Sequence, residues 1–181
     1  ELKKYGELYN ANVHISAPGV DFELFNKREN PGEPQDLKGI KRPIVGYIGG
    51  IHKHIDFDLL EKIFNENNNI NFVFIGPVQT EISRLKKYKN VHFLGQKDHN
   101  SIPDYVKVFD AGIIPYVISE YTRTVYPTKL NEYLASGKPV ISTPLPEVIF
   151  YNKAYNNAVT IIKNEVDFRN CIGSILGQEG K

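Results

Sequence analysis

Between Arg123 and Glu132 the chain gathers two cations and a carboxylate behind a polar, aromatic loop. Thr128-Lys129-Leu130-Asn131-Glu132-Tyr133 reads as the opening of a helix. The first N–H groups of a helix lack internal partners and its N-terminal dipole is positive, so a diphosphate binds there readily. Arg123 before the helix and Lys129 in its first turn can add charge-assisted hydrogen bonds to phosphate. Glu132, one turn farther in, can accept hydrogen bonds from ribose hydroxyls. Phosphate, cation and hydroxyl acceptor then lie along one line, as a nucleoside diphosphate requires. Each residue also has a plainer reading: Arg123 can brace its loop on Glu120, Lys129 can be solvated, and Thr124 can close a turn. Tyr116 and Tyr126 flank the proposed site.

The two common nucleotide chemistries fail on spacing. A dinucleotide cofactor wants G-x-G-x-x-G after the first strand and an acidic residue closing the second. Here the first strand ends Gly46-Tyr47-Ile48-Gly49-Gly50 and the second ends Phe74-Ile75-Gly76. No G-x-x-x-x-G-K-[ST] phosphate loop is present either. His52 and His54, without a carboxylate pair, suit a surface loop better than a metal. Asp56-Phe57-Asp58 mimics a metal-holding Asp-x-Asp, but its place at a helix start favours capping.

The elements that must position these residues alternate short apolar runs with helical patterns, the mark of repeated βαβ units. Strands are predicted at Ile44 to Ile48, Ile70 to Ile75, Val91 to Leu94, Ala111 to Pro115, Pro139 to Ser142 and Val159 to Ile162. Helices are predicted after Asp56, over Glu81 to Tyr88, from Ser101 with Pro103, over Thr128 to Ser136 with Gly137 as the stop, and over Val166 to Leu176. Glu147 after Pro146 reads as a helix-start carboxylate. Strands apolar throughout are those covered by helices on both faces. The fold class is therefore α/β, a doubly wound, Rossmann-like parallel sheet of about six strands. Ligands bind such sheets beyond the C-terminal strand ends, at the switch point. That places Gly49 to Lys53, Gly76-Pro77, Gly95-Gln96 and the loop from Tyr116 to Tyr126 near one another. Before residue 41 the pattern breaks: Asn12 to Ser16 reads as a lone strand and Pro31 to Pro34 as a loop or linker.

With 181 residues, 41% of them hydrophobic, the chain can bury a core without metal or disulfide staples. A net charge of +1 excludes a whole-surface attraction to nucleic acid or anionic membrane. The single cysteine, Cys171, rules out an internal disulfide and suits a reducing compartment. No apolar run is long enough to span a bilayer. The chain starts at Glu1 and contains no Met, which points to a natural start upstream.

Tyr126-Pro127-Thr128-Lys129-Leu130-Asn131-Glu132-Tyr133-Leu134-Ala135-Ser136-Gly137-Lys138-Pro139-Val140 resembles the donor-site signature of GT-B glycosyltransferases, particularly family four. Ala17-Pro18-Gly19-Val20-Asp21 resembles that family's crossover from acceptor to donor domain. Val45 to Gly50, and Val91 to Gly95 followed by Ile102-Pro103 and Phe109-Asp110, resemble its strand surroundings. The likeness runs in order through nearly the whole chain. It implies a division into residues 1–40, the tail of an acceptor domain and its crossover, and residues 41–181, the nucleotide-sugar-binding domain.

The resemblance implies transfer of a sugar from a nucleoside-diphosphate sugar to an acceptor glycan or lipid-linked glycan, with retention and without a metal. No cofactor is implied, because the nucleotide-sugar is a substrate; the base, UDP or GDP, stays open. The implied setting is cytoplasmic cell-surface polysaccharide assembly, with any membrane contact and the acceptor reached through a missing N-terminal domain. Glu132 falls to the ribose, the Thr128 to Leu130 backbone to the diphosphate, Gly49 and Gly50 to the first donor turn, and Gly95 to the neighbourhood of the base.

Two departures stand out. The family pairs two Glu residues with seven between them; the first position here is Thr124, with Glu120 four residues earlier. Family cations after the first strand are replaced by Ile51-His52-Lys53-His54, so Arg123, with Lys53, is expected to supply that charge. Isolated from the rest of an enzyme, the chain is expected to bind nucleotide without turnover. A GT-B sugar-nucleotide epimerase and a noncatalytic nucleotide-binding module are the rival readings.

Overall fold

The computed structural model describes residues 2–14, 16, 18–26 and 32–177. Two short helices come first, α1 (Leu2–Glu7) and α2 (Phe22–Phe25). The sheet then builds from β1 (Ile44–Ile48), β2 (Asn71–Ile75), β3 (Val91–Phe93), β4 (Ala111–Ile114), β5 (Val140–Ser142) and β6 (Val159–Ile161). Between and after them run α3 (Phe57–Glu66), α4 (Ile102–Val108), α5 (Lys129–Ala135), α6 (Pro146–Ala154) and α7 (Glu165–Leu176). All strand pairs are parallel and the order is β3-β2-β1-β4-β5-β6, so β1 and β4 flank the point where the winding reverses. This is the doubly wound, six-stranded Rossmann-like sheet that the apolar runs predict.

Every residue of β1 and of β4 is buried, as strands covered on both faces must be. The carboxylate of Asp110 accepts from the Ile44 N–H and from Arg42, fixing the entry of β1 beside the entry of β4. α3 starts where Asp56 Oδ1 accepts the Leu59 N–H at 2.9 Å, the capping role that its position predicts. Its end is stapled by buried Asn90, whose amide donates to the carbonyls of Asn67 and Ile70 at 3.1 Å each. Phe25 and Leu37, which precede the sheet, lie in the same hydrophobic core as Phe64, Phe72 and Phe168. Burying a side chain as large as Phe25 contributes about 1.5–3 kcal/mol, so the segment ahead of the sheet is held down by packing.

Two predicted elements are absent. Residues 12–14 and 16 form no strand (Ile15 lies outside the described residues), and the Asn12 N–H is taken by Asn10 Oδ1 at 2.8 Å instead of a neighbouring strand. The helix expected over Glu81 to Tyr88 is a single 3-10 turn, Ser83–Leu85. Ile82, Leu85 and Tyr88 recur every third residue, the 3-10 period, and Ile82 and Leu85 are buried by it. No described helix is long and apolar enough to cross a membrane.

Candidate functional site

The C-terminal ends of the strands meet in three interlocked turns. The Gly49 N–H donates to Ile75 O and the Gly76 N–H to Gly95 O, both at 2.8 Å. Gly76 has φ +143°, and a Cβ there would stand 2.0 Å from the Gly49 carbonyl oxygen. Only glycine lets those two turns touch. On the other side of β1, the Tyr133 ring lies against Gly112, where a Cβ would come within 2.5 Å of it. Tyr133 Oη accepts the Ile48 N–H at 2.9 Å, which locks α5 to β1. Helix and turn therefore hold a fixed relation.

A cavity of about 270 Å³ opens between them. Gly49, Gly76 and Pro77 form one wall; Gln96, Lys97, His99 and Ile102 form a second; Thr128, Lys129 and Glu132 form the third. Of the residues that the sequence singles out, Gly49, Thr128, Lys129 and Glu132 line it together. Gly95 sits beside it, one residue before Gln96. Gly50 follows Gly49 in the same turn, and its carbonyl accepts from Tyr47 Oη at 2.8 Å. Leu130 is fully buried in the core, and its N–H is donated to Pro127 O at 2.9 Å. The donors left at this helix start are the N–H groups of Thr128 and Lys129, which have no partner among the described residues.

Glu132 and Lys129 dominate the electrostatics. The Glu132 carboxylate makes no hydrogen bond or ion pair among the described residues, and burial pushes its pKa up, opposed by the positive charge of Lys129 and by His99. A carboxylate can only accept hydrogen bonds, so this wall is shaped for hydroxyl or N–H donors. The Lys129 side chain is 8% exposed. Its Nζ donates to Tyr116 Oη and lies 4.8 Å and 5.1 Å from the ring centroids of Tyr116 and Tyr47. Lys97 reaches the rim from the other side, where Asp36 Oδ2 holds its Nζ at 2.6 Å and Tyr105 Oη donates to Asp36 Oδ1 at 2.8 Å. These two bonds and the Lys97 charge draw the Asp36 pKa down despite the opposing, largest effect of burial.

The remaining predicted residues lie outside the cavity wall. Arg123, Thr124 and Glu120 are exposed on a loop that closes on itself. Thr122, buried at its centre, accepts the Ser119 N–H at 2.8 Å and donates to Val117 O. Thr124 Oγ1 donates to Tyr121 O at 3.0 Å. Arg123 forms no ion pair with Glu120. Lys53 is exposed on the loop after β1. Tyr126 Oη donates to Asn131 Oδ1 at 2.7 Å, and Asn131 Nδ2 donates to Pro18 O at 2.8 Å, so these two fasten the segment around Pro18 to α5.

His54 stacks on Tyr121 at 4.3 Å and His52 rests 5.3 Å from Tyr116. Burial, then Lys129 and His54, draw the His52 pKa down. Among the described residues no three His, Cys, Asp or Glu side chains converge as metal ligands do. Asp58 pairs with Arg84 at 2.7 Å. Sequence reasoning missed Lys97, His99 and the Asp36 anchor. The one signal available for Lys97 and His99 was position, two and four residues beyond the Gly95 turn; nothing in the sequence pointed to Asp36.

The sheet order and the cavity at its switch point define a doubly wound, Rossmann-like domain with its candidate site at the C-terminal strand ends. Residues 42–177 match the family model described as glycosyl transferases group 1. The chain belongs to that family. It is 33% identical over 172 residues to a Bacillus subtilis (strain 168) protein provisionally named as the teichuronic acid biosynthesis glycosyltransferase TuaH. That match covers 93% of this chain but 43% of the relative, so the chain spans less than half of the relative's length. Among solved structures, the C-terminal domain of the glycosyl transferase group 1 family protein LpcC from Francisella tularensis superposes with a TM-score of 0.63 at 20% identity, covering 89% of each chain. Anabaena Alr3699/HepE, in complex with UDP and glucose, superposes with a TM-score of 0.59 at 15% identity, covering 89% of this chain and 46% of that one.

Proposed function

We propose that this chain is the donor-binding half of a glycosyltransferase, holding a nucleoside-diphosphate sugar in the switch-point cavity. The carrying observation is the Glu132 carboxylate, half-buried and unpartnered on the cavity wall, one helical turn from buried Lys129. Vicinal ribose hydroxyls are the donors that such an acceptor takes. The diphosphate then lies against the Thr128 and Lys129 N–H groups and the lysine ammonium, with the base toward Gly95, Gln96 and His99. As the bond from the sugar's anomeric carbon to the phosphate oxygen breaks, negative charge grows on the diphosphate. Lys129 and the N–H groups stabilise it in place, from a site that needs no reorganisation. Arg123 and Lys53, both on loops facing this end of the sheet, add cations once the donor is bound. Thr124 and Glu120 are the side chains nearest in sequence for sugar hydroxyls.

The reaction is a metal-independent, retaining transfer to a glycan or lipid-linked glycan held by the rest of the protein, in cytoplasmic assembly of a cell-surface polysaccharide. Similarity to the Bacillus subtilis relative supports that setting. The test is a thermal-shift and calorimetric screen of this chain with UDP, GDP, ADP and their sugars, since a ligand of the folded state raises its melting temperature by mass action. One base should stand out, and Glu132→Gln should lose most of the response. A chain indifferent to every nucleotide would overturn the reading.

A further inference from the structure

Resting on the donor-site reading above, we propose that Tyr116 is a positioning residue that holds the Lys129 ammonium beneath the Gly49-Gly50 turn, where the diphosphate meets it. The Lys129 side chain is buried yet forms no ion pair among the described residues, so something other than a carboxylate fixes its direction. Its Nζ donates to Tyr116 Oη. A Cβ on Gly49 would lie 3.3 Å from Lys129 Cε and 3.5 Å from Nζ, which puts the charge directly under that turn.

The hydrogen bonds have one consistent polarity. An ammonium only donates, so Tyr116 Oη accepts and must send its own proton elsewhere. Tyr47 Oη stands 3.4 Å away and in turn donates to the Gly50 carbonyl at 2.8 Å. The order is Lys129, Tyr116, Tyr47, Gly50, running from the helix to the turn it faces. Tyr116 cannot drift, because the Thr143 hydroxyl accepts its N–H at 3.1 Å and donates to its carbonyl at 2.7 Å. Two aromatic faces replace part of the hydration that a buried ammonium gives up. A lysine stem has four rotatable carbons, and without the tyrosine oxygen it would swing toward the Glu132 carboxylate, which is acceptor-only and unpartnered. Tyr116 thereby keeps cation and carboxylate on separate duties.

Tyr116→Phe keeps the ring and removes only the oxygen. Calorimetry on this chain would compare the nucleoside diphosphate with the monophosphate of whichever base binds. The diphosphate affinity should fall on the order of tenfold, the loss of one charge-assisted hydrogen bond's alignment. The monophosphate affinity should stay within about twofold, and Tyr116→Phe should add nothing further in a Lys129→Met background. Equal weakening of both nucleotides, or of neither, would overturn the positioning role while leaving the donor site standing. No nucleotide binding by the unaltered chain would instead overturn the donor site itself. Should Tyr116→Phe not fold, Tyr47→Phe strips the next oxygen of the same series and is read by the same ratio.

Discussion

The two sides of the Gly49-Gly50 turn are built on different plans. On the Glu132 side, three turns touch carbonyl to glycine and α5 is bolted to β1 through Tyr133. The groups free to bind are a carboxylate and two N–H groups, each carried on that rigid frame. On the side of the loop from Val117 to Thr124, the side chains with sequence-level promise are exposed, and the hydrogen bonds close the loop on itself. A fixed frame suits the part of a donor common to every nucleotide-sugar. An exposed loop, whose side chains change without disturbing the core, suits the part that differs.

The comparison breaks most severely at Gly76. Gly76→Ala puts a methyl group 2.0 Å from Gly49 O at φ +143°, and overpacking against backbone should cost about 3 kcal/mol or the fold itself. Chemical denaturation reads this directly. Next in size is Glu132→Gln, which should weaken nucleoside-diphosphate binding by ten- to a hundredfold, as lost hydrogen bonds to a charged group imply. The same change should make the unliganded chain more stable at neutral pH. Burial raises the Glu132 pKa in the folded state, so stability falls as pH climbs from the ordinary glutamate range through that raised value. Glutamine has no proton to lose, so the variant's melting temperature should lack that fall, and the gap over the unaltered chain should widen as pH climbs through the window.

Effects on the loop side should be smaller and more selective. Arg123→Ala should lower diphosphate affinity about threefold, an exposed cation's share after screening. An unchanged calorimetric affinity would remove Arg123 from the site. Thr124→Glu should leave the free diphosphate within about twofold and alter only the affinity for a sugar-bearing donor. A shift in both would mean that loop and cavity are one unit.

The sheet was legible because its strands are apolar throughout, a pattern that survives any choice of helix boundary. The cavity's Thr128, Lys129 and Glu132 were legible because their chemistry and spacing sit in one helical turn. Tyr116 was legible as a flank of the site but not as the partner of Lys129, since the two lie thirteen positions apart in the chain. The anchoring of Lys97 by Asp36 was hidden for the same reason, across a far longer stretch of chain. Glu81 to Tyr88 misled because the apolar spacing of three fits a tight turn as well as a helix. The lone strand at Asn12 failed because strand-forming residues need an edge to pair with, and propensity says nothing of edges.

Pro18 is bonded to α5 through Asn131, Phe25 and Leu37 lie in the core, and Asp36 grips the cavity rim. For anyone grafting this domain onto another member of its family, these ties set where the cut belongs. A seam at residue 41, where the regular alternation begins, would leave Lys97 facing a foreign linker and Asn131 without its carbonyl. The transferable module begins ahead of Pro18.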